Sequence, residues 1–211
     1  MKKLFKYILG IVLALVVVYL SFDVQNLQEY QAANLKTEFN AADYALKVWT
    51  EKLPEVSKNT PEVNNLLEQL NADPEKAFAQ FGRKLGIAKT HYFMLQGTGI
   101  IVEISNEYID VVTGLNDTVQ IATAFIFGNA VRDGSGQVEI NDFVNMTDFN
   151  NVSIELNKLV RSKIISRLTK SAAIGKKIEF AGVAELKIDE EIPAQIKVIP
   201  VKAILSDGRS S

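Results

Sequence analysis

Cysteine is absent from all 211 residues, and histidine and tryptophan occur once each. The first absence excludes disulfides, thiolate nucleophiles and cysteine-bound metals, and it removes the acceptor that lipoprotein acylation needs. A domain of this kind has to be held together by packing alone. With one histidine, His91, an acyl-transfer triad could draw its base from a single position. At the start of a strand that residue reads as a surface or hydrogen-bonded side chain. A basic excess is also missing: 23 Lys and Arg stand against 25 Asp and Glu, for a net charge of −2. Such a balance argues against nucleic acid as a partner. Internal repeats and low-complexity tracts are absent as well. These absences predict a non-enzymatic protein without cofactor or metal.

Acidic residues are missing from one stretch in particular. Met1 to Phe22 contains Lys2, Lys3 and Lys6 followed by an almost unbroken apolar run from Tyr7 to Phe22, and the first acid is Asp23. Lysines in front of an apolar run stay on the cytoplasmic side. The pattern reads as a secretory leader, and Val17-Val18-Tyr19 and Tyr19-Leu20-Ser21 both carry bulky residues where cleavage wants small ones. A retained signal-anchor over residues 1–22 is therefore expected, with about 24 Å of helix at ~1.5 Å per residue against a hydrocarbon core of ~30 Å. This predicts a single-pass protein of the cytoplasmic (inner) membrane whose C-terminal domain lies outside the cytoplasm. Removing the three leader lysines from the 23 basic residues leaves 20 against 25 acids, an exported body of −5.

Beyond the leader, residues 23–88 read as a helical segment. Phe39 to Trp49 repeats apolar residues every three or four positions, and Pro54 is expected to end that helix. Tyr44 and Trp49 fall on its core face, with stacking on a ligand as the alternative. Thr60-Pro61 and Asp73-Pro74 are helix starts, Val63, Leu66, Leu67 and Leu70 form one inner face, and Gly82 is a candidate left-handed stop. From Thr90 the period becomes two. Strands are expected at His91–Gln96, Gly99–Ser105, Glu107–Thr113 and Thr118–Phe127, with Leu115-Asn116-Asp117 as a turn. A long helix follows from Asp148 to about Lys170, capped by Thr147 or Asp148, and then strands at Lys177–Ala184 and Gln195–Leu205. The class is α+β: a small curled antiparallel sheet or a partly open OB-like barrel over residues 89–205, with one long helix and a polar tail at 206–211. The strand count before the helix is one too many for that barrel unless two of them are one bent strand.

The polar stretch from Gly128 to Asn145 is the candidate site. Asn129, Arg132, Asp133, Asn141, Asp142 and Asn145 combine donors and acceptors of the kind that fix sugar hydroxyls or carboxylates in a cleft. Two other readings compete. Gly134 and Gly136 suit a hairpin turn. Asp133, Ser135, Val138 and Asp142 superficially match a calcium loop whose first ligand position would be Val131, which has no side-chain oxygen.

These residues carry a resemblance. The run Phe39…Tyr44…Trp49…Leu53-Pro54, then Lys84-Leu85-Gly86-Ile87, Phe125-Ile126-Phe127-Gly128-Asn129-Ala130-Val131-Arg132-Asp133, and Asn141-Asp142-Phe143-Val144-Asn145 through Glu155-Leu156-Asn157-Lys158 to Ile196–Val201 resembles a family of predicted periplasmic lipoproteins of unassigned function. The resemblance implies an envelope protein often encoded beside sugar-type ABC transporter genes, and so an accessory role in solute uptake; it implies no catalytic residue. This chain departs from the family label in having no acceptor cysteine, so a protein anchor is the simpler attachment. Within the shared block, Asn145 stands where a loop enters the long helix and can satisfy backbone donors there, and Asn157 is bonded to a strand's backbone or faces solvent.

The expected function is thus a membrane-anchored extracytoplasmic accessory or binding protein that meets ABC transporter components or a sugar-like solute. A structural protein docking on an envelope complex, and a carboxylate-based glycoside hydrolase using Asp133 or Asp142, are the alternatives.

Overall fold

A fifteen-residue strand, β2 (Thr90–Ile104), organises the molecule. The computed structural model describes Gly10 and residues 39–206 other than 115, 116, 125 and 127. The expected anchor apart from Gly10, the segment 23–38, the Leu115-Asn116 turn, Phe125 and Phe127, and the tail beyond Ser206 lie outside the described residues. No helix among those described is long and apolar enough to cross a membrane. From Asn40 onward the chain forms one compact unit.

β2 replaces the two strands expected at 91–96 and 99–105. It pairs antiparallel with β5 (Lys177–Lys187) from Thr90 to Ile100 and with β3 (Tyr108–Thr113) from Gly99 to Ile104, so one strand serves two neighbours. Gly97, between the two expected strands, and Gly99, the first residue of the second, are sites of close approach. A Cβ on Gly97 would lie 2.8 Å from the Phe180 ring and 2.9 Å from Val63, and one on Gly99 would lie 2.3 Å from the Val112 carbonyl oxygen. Glycine lets the strand bend where side chains would collide. β3 pairs with β4 (Thr118–Ala122), β4 runs parallel to β6 (Ile196–Ser206), and β6 pairs with β5. The order β2-β3-β4-β6-β5 closes on β2, and a two-residue strand β1 (Gly82–Arg83) adds to its edge. Closure removes most of the exposed sheet edge.

Alternation fills the barrel. Phe93, Leu95, Ile101, Ile109, Val111, Val119, Ile121, Ile178, Phe180, Ile196 and Val198 are all buried in one core. Val63, Leu66 and Leu70 of α3 (Val63–Ala72) and Ala77 and Phe78 of α4 (Pro74–Phe81) join it, as the apolar spacing predicts. A second core lies outside the barrel wall. There α1 (Ala41–Lys47), α2 (Leu53–Lys58), α5 (Ala130–Ser135) and α6 (Met146–Leu159) cover Met94, Ala181, Val183 and Val201.

Several local expectations are corrected. Pro54 does not end the first helix. A wide turn at Val48–Lys52, in which the Leu53 amide reaches back to the Val48 carbonyl, joins α1 to α2 and leaves Pro54 in the first turn of the latter. There a missing amide costs little. Thr60 does not cap α3; its hydroxyl donates to the Ser57 carbonyl at 3.3 Å. Asp73 does cap α4, accepting from the Lys76 amide at 3.1 Å. Gly82 is extended, at φ −80°, and pairs with Phe93. The long helix is capped by Asn145, whose Oδ1 accepts from the Asp148 amide at 2.9 Å, in place of Thr147 or Asp148. It continues through a wide turn at Val160–Ile165 into α7 (Ser166–Ser171).

Candidate functional site

The segment singled out in the sequence is largely structural. Residues 130–135 form the short helix α5, not a hairpin; of the two glycines read as turn residues, Gly136 takes the left-handed conformation, at φ 61°, and Gly134 packs against Val183 and Tyr92. Arg132 is only 1% exposed. Its Nε donates to Asp133 Oδ1 at 2.7 Å and its Nη2 to Asp133 Oδ2 at 3.2 Å. Its Nη1 donates to the Phe149 carbonyl and to Asn150 Oδ1 at 3.2 and 3.1 Å, and the guanidinium lies 3.6 Å from the centre of the Phe149 ring. Arg132 thus clasps α5 to α6 and is not open to a solute. Asp142 accepts from the Tyr44 hydroxyl at 3.3 Å, and Asn145 is the helix cap. Burial, with help from Asp142, raises the Tyr44 pKa. Asn129 precedes α5 without a side-chain cap bond. Of the six candidates, Asp133 and Asn141 border a common cleft, which they share with Arg83 and Glu139. No cluster of potential metal ligands occurs among the described residues, so the calcium-loop reading has no support there. His91 is buried against Phe78, with its Nδ1 3.0 Å from the Lys89 carbonyl oxygen.

A better site lies where three strand ends meet the β5–β6 loop. Ile109 and Ile196 point into the barrel, so Tyr108 and Lys197 point out. Tyr108 pairs with Ala122, and Lys197 sits opposite Gln120 on the parallel pair. This brings the Lys197 ammonium within 5.0 Å of the Tyr108 ring centre. Ala184 and Leu186 face inward, so Glu185 faces out beside them. Between these side chains and the loop carrying Glu190, Glu191, Ile192 and Pro193 lies a cavity of about 420 Å³. Its volume is within the ordinary range for small-molecule sites. Small Ala122 and Ala124 leave the room, and Ile126, Val183 and Ile199 supply an apolar lining.

The loop is pinned at one end. Lys187 Nζ bonds Glu190 Oε1 at 2.6 Å, and Lys89 Nζ bonds Asp189 Oδ2 at 2.7 Å. Those hydrogen bonds are the largest cause of the raised pKa values of Lys187 and Lys89 and of the lowered value of Asp189. Lys197 is left as a donor without an ion-pair partner among the described residues, and Glu185 and Glu191 are left as acceptors. Burial raises the Tyr92 pKa, with Glu185 and Asp133 adding to the rise and Arg132 opposing it. The long helix holds the other wall: Asn157 Nδ2 donates to the Gly128 carbonyl at 2.9 Å, and Arg161 donates to the Ile126 carbonyl. Asn157 thus bonds backbone, but in the connection after β4 and not in a strand. An aromatic face, an ammonium and two free carboxylates around an apolar floor suit a hydroxylated ring. Sequence reasoning missed this site because Tyr108, Glu185 and Lys197 are far apart in the chain. The one available signal was their outward parity on strands whose neighbours are apolar.

In a five-stranded barrel of this order, ligands are held on the second and third strands and by the loops after the first and fourth. Tyr108 and Ala122 lie on the second and third strands, and residues 188–195 form the loop after the fourth. The fold is similar to that in the crystal structure of an OB-fold protein from Thermotoga maritima MSB8, with a TM-score of 0.72 and 28% sequence identity, covering 81% of this chain and 100% of that one. Among curated proteins no match is found. Residues 12–203, a span that begins inside the apolar leader, match the family described as predicted periplasmic lipoprotein (DUF2291), and the chain belongs to that family.

Proposed function

We propose that this is a non-enzymatic, extracytoplasmic accessory protein, held at the inner membrane by its lysine-led apolar leader, that binds a sugar-like solute in service of an ABC-type transporter. The observation that carries the reading is the cavity of about 420 Å³ between Tyr108, Lys197 and the β5–β6 loop. Its free donors and acceptors match the alternating hydroxyls of a sugar, and Tyr108 offers a ring face for stacking. The family's description supports a periplasmic setting, and the leader supports attachment in a chain with no cysteine to acylate. A hydrolase built on Asp133 is disfavoured because that carboxylate is committed to buried Arg132.

Calorimetric titration of the full-length chain with a panel of monosaccharides tests the solute site. At least one should give saturable heat, and Lys197→Met and Tyr108→Ala should each weaken it by about tenfold, the worth of one charge-assisted hydrogen bond or ring contact. Silence across the panel, or affinity indifferent to both substitutions, refutes it. Cross-linking in native membranes tests the transporter link, which fails if no permease or solute receptor is captured.

A further inference from the structure

A second cavity, of about 240 Å³, lies between the first helix and the barrel, on residues that take no part in the site above. Trp49, Leu53 and Pro54 form one wall, and Gln96, Val201 and Lys202 form the other. Trp49 is half-buried and packs against both cores, yet it also borders this cavity. It stands in the wide turn Val48–Lys52, an insertion of the kind that recurs at functional sites. Its indole N–H has no hydrogen-bond partner among the described residues. Gln96 is held rigidly: its Nε2 donates to the Thr60 carbonyl and its amide to the Pro61 carbonyl, both at 3.0 Å. That leaves its Oε1 as a fixed acceptor.

The charge of the lining is unusual for this protein. Lys58 and Lys202 border the cavity and no Asp or Glu does, although the exported body carries more acids than bases. Lys202 is partly neutralised by an ion pair with Glu179 outside the cavity; Lys58 has no such partner among the described residues. An indole face, an N–H donor, a fixed acceptor and unopposed ammonium charge define a ligand. We propose that this cavity binds a small ring-bearing carboxylate, with the ring on Trp49 and the carboxylate toward Lys58 and Lys202. Both a cyclic sugar acid and an aromatic acid have this chemistry.

Trp49 is the chain's single tryptophan, so tryptophan emission comes from this one wall of the cavity. The full-length chain is titrated with glucuronate, benzoate and glucose while tryptophan emission is recorded. A saturable change is expected with at least one of the two carboxylates, with glucose at least about tenfold weaker, and the responding carboxylate identifies the source. Lys58→Gln should weaken that response by about tenfold, as loss of a charge-assisted contact does, with Lys202→Gln as a second variant and melting curves confirming that both fold. No response to either carboxylate, an equal response to glucose, or indifference to both lysine substitutions overturns the proposal.

Discussion

Replacing Arg132 with methionine separates a clasp from a binding site. The wild-type guanidinium is 1% exposed and makes four hydrogen bonds, two to Asp133 and two to α6, while lying 3.6 Å from the Phe149 ring centre. Methionine keeps most of the volume and a sulfur contact to the ring. It leaves the Asp133 carboxylate, with a side chain only 9% exposed, without a counter-charge. Removing one partner of a buried pair costs about 3–5 kcal/mol. With a urea slope of about 2 kcal/mol per M, the unfolding midpoint should fall by about 2 M. The double variant Arg132→Met/Asp133→Asn removes the stranded charge and should recover most of that loss, because a pair replaced together is close to neutral. A single variant within about 1 kcal/mol of the parent, or a double variant no better than the single, would refute the clasp and return Arg132 to the list of open ligand contacts.

Three further outcomes are expected. A Cβ on Gly182 would lie 2.3 Å from the Ile199 carbonyl oxygen, so Gly182→Ala should cost about 2–3 kcal/mol and lower the melting temperature by roughly 4–12 °C; an unchanged melt would show that the β5–β6 pair can spread. Asn145→Ala should cost about 1 kcal/mol in denaturant titration, because it removes both the oxygen that accepts from the Asp148 amide and the Nδ2 that donates to Asp148 Oδ2; an unchanged midpoint would contradict this. Asp189 is held below the ordinary carboxylate range mainly by its hydrogen bond from Lys89, so that contact contributes above the unfolded pKa and is lost as pH falls through the folded one. Protection factors for the Ile188 amide, which bonds the Lys89 carbonyl, should drop in acid, and Lys89→Met should show the lower protection already at neutral pH; matching profiles for parent and variant would dismiss the tether.

Much of the scaffold was readable from local rules. Val63, Leu66 and Leu70 return at helical spacing and are fully buried, Asp73-Pro74 does start a helix, and the outward and inward residues of β3 alternate as their period requires, whereas β5 is buried on both faces from Phe180 to Ala184 because the second core covers the barrel wall there. The errors share a cause. The break expected between Gln96 and Gly99 does not occur, because Gly97 and Gly99 let Phe180 and the Val112 carbonyl approach one continuous strand, a demand set by strands elsewhere in the chain. Pro54 looks like a stop, and a wide turn just before it absorbs the missing amide. Arg132 reads as a ligand contact in a polar stretch, and only the placement of Phe149 and Asn150 reveals that it is interior.

Polarity and period are properties of neighbouring residues, and they sufficed for the α+β class, the alternation of β3 and the long helix. Which side chains share a cavity is a property of strand pairing across long separations. Tyr108, Glu185 and Lys197 meet only because β4 lies parallel to β6 and β5 closes onto β2, a closure set by the combined packing of both cores that no short stretch encodes.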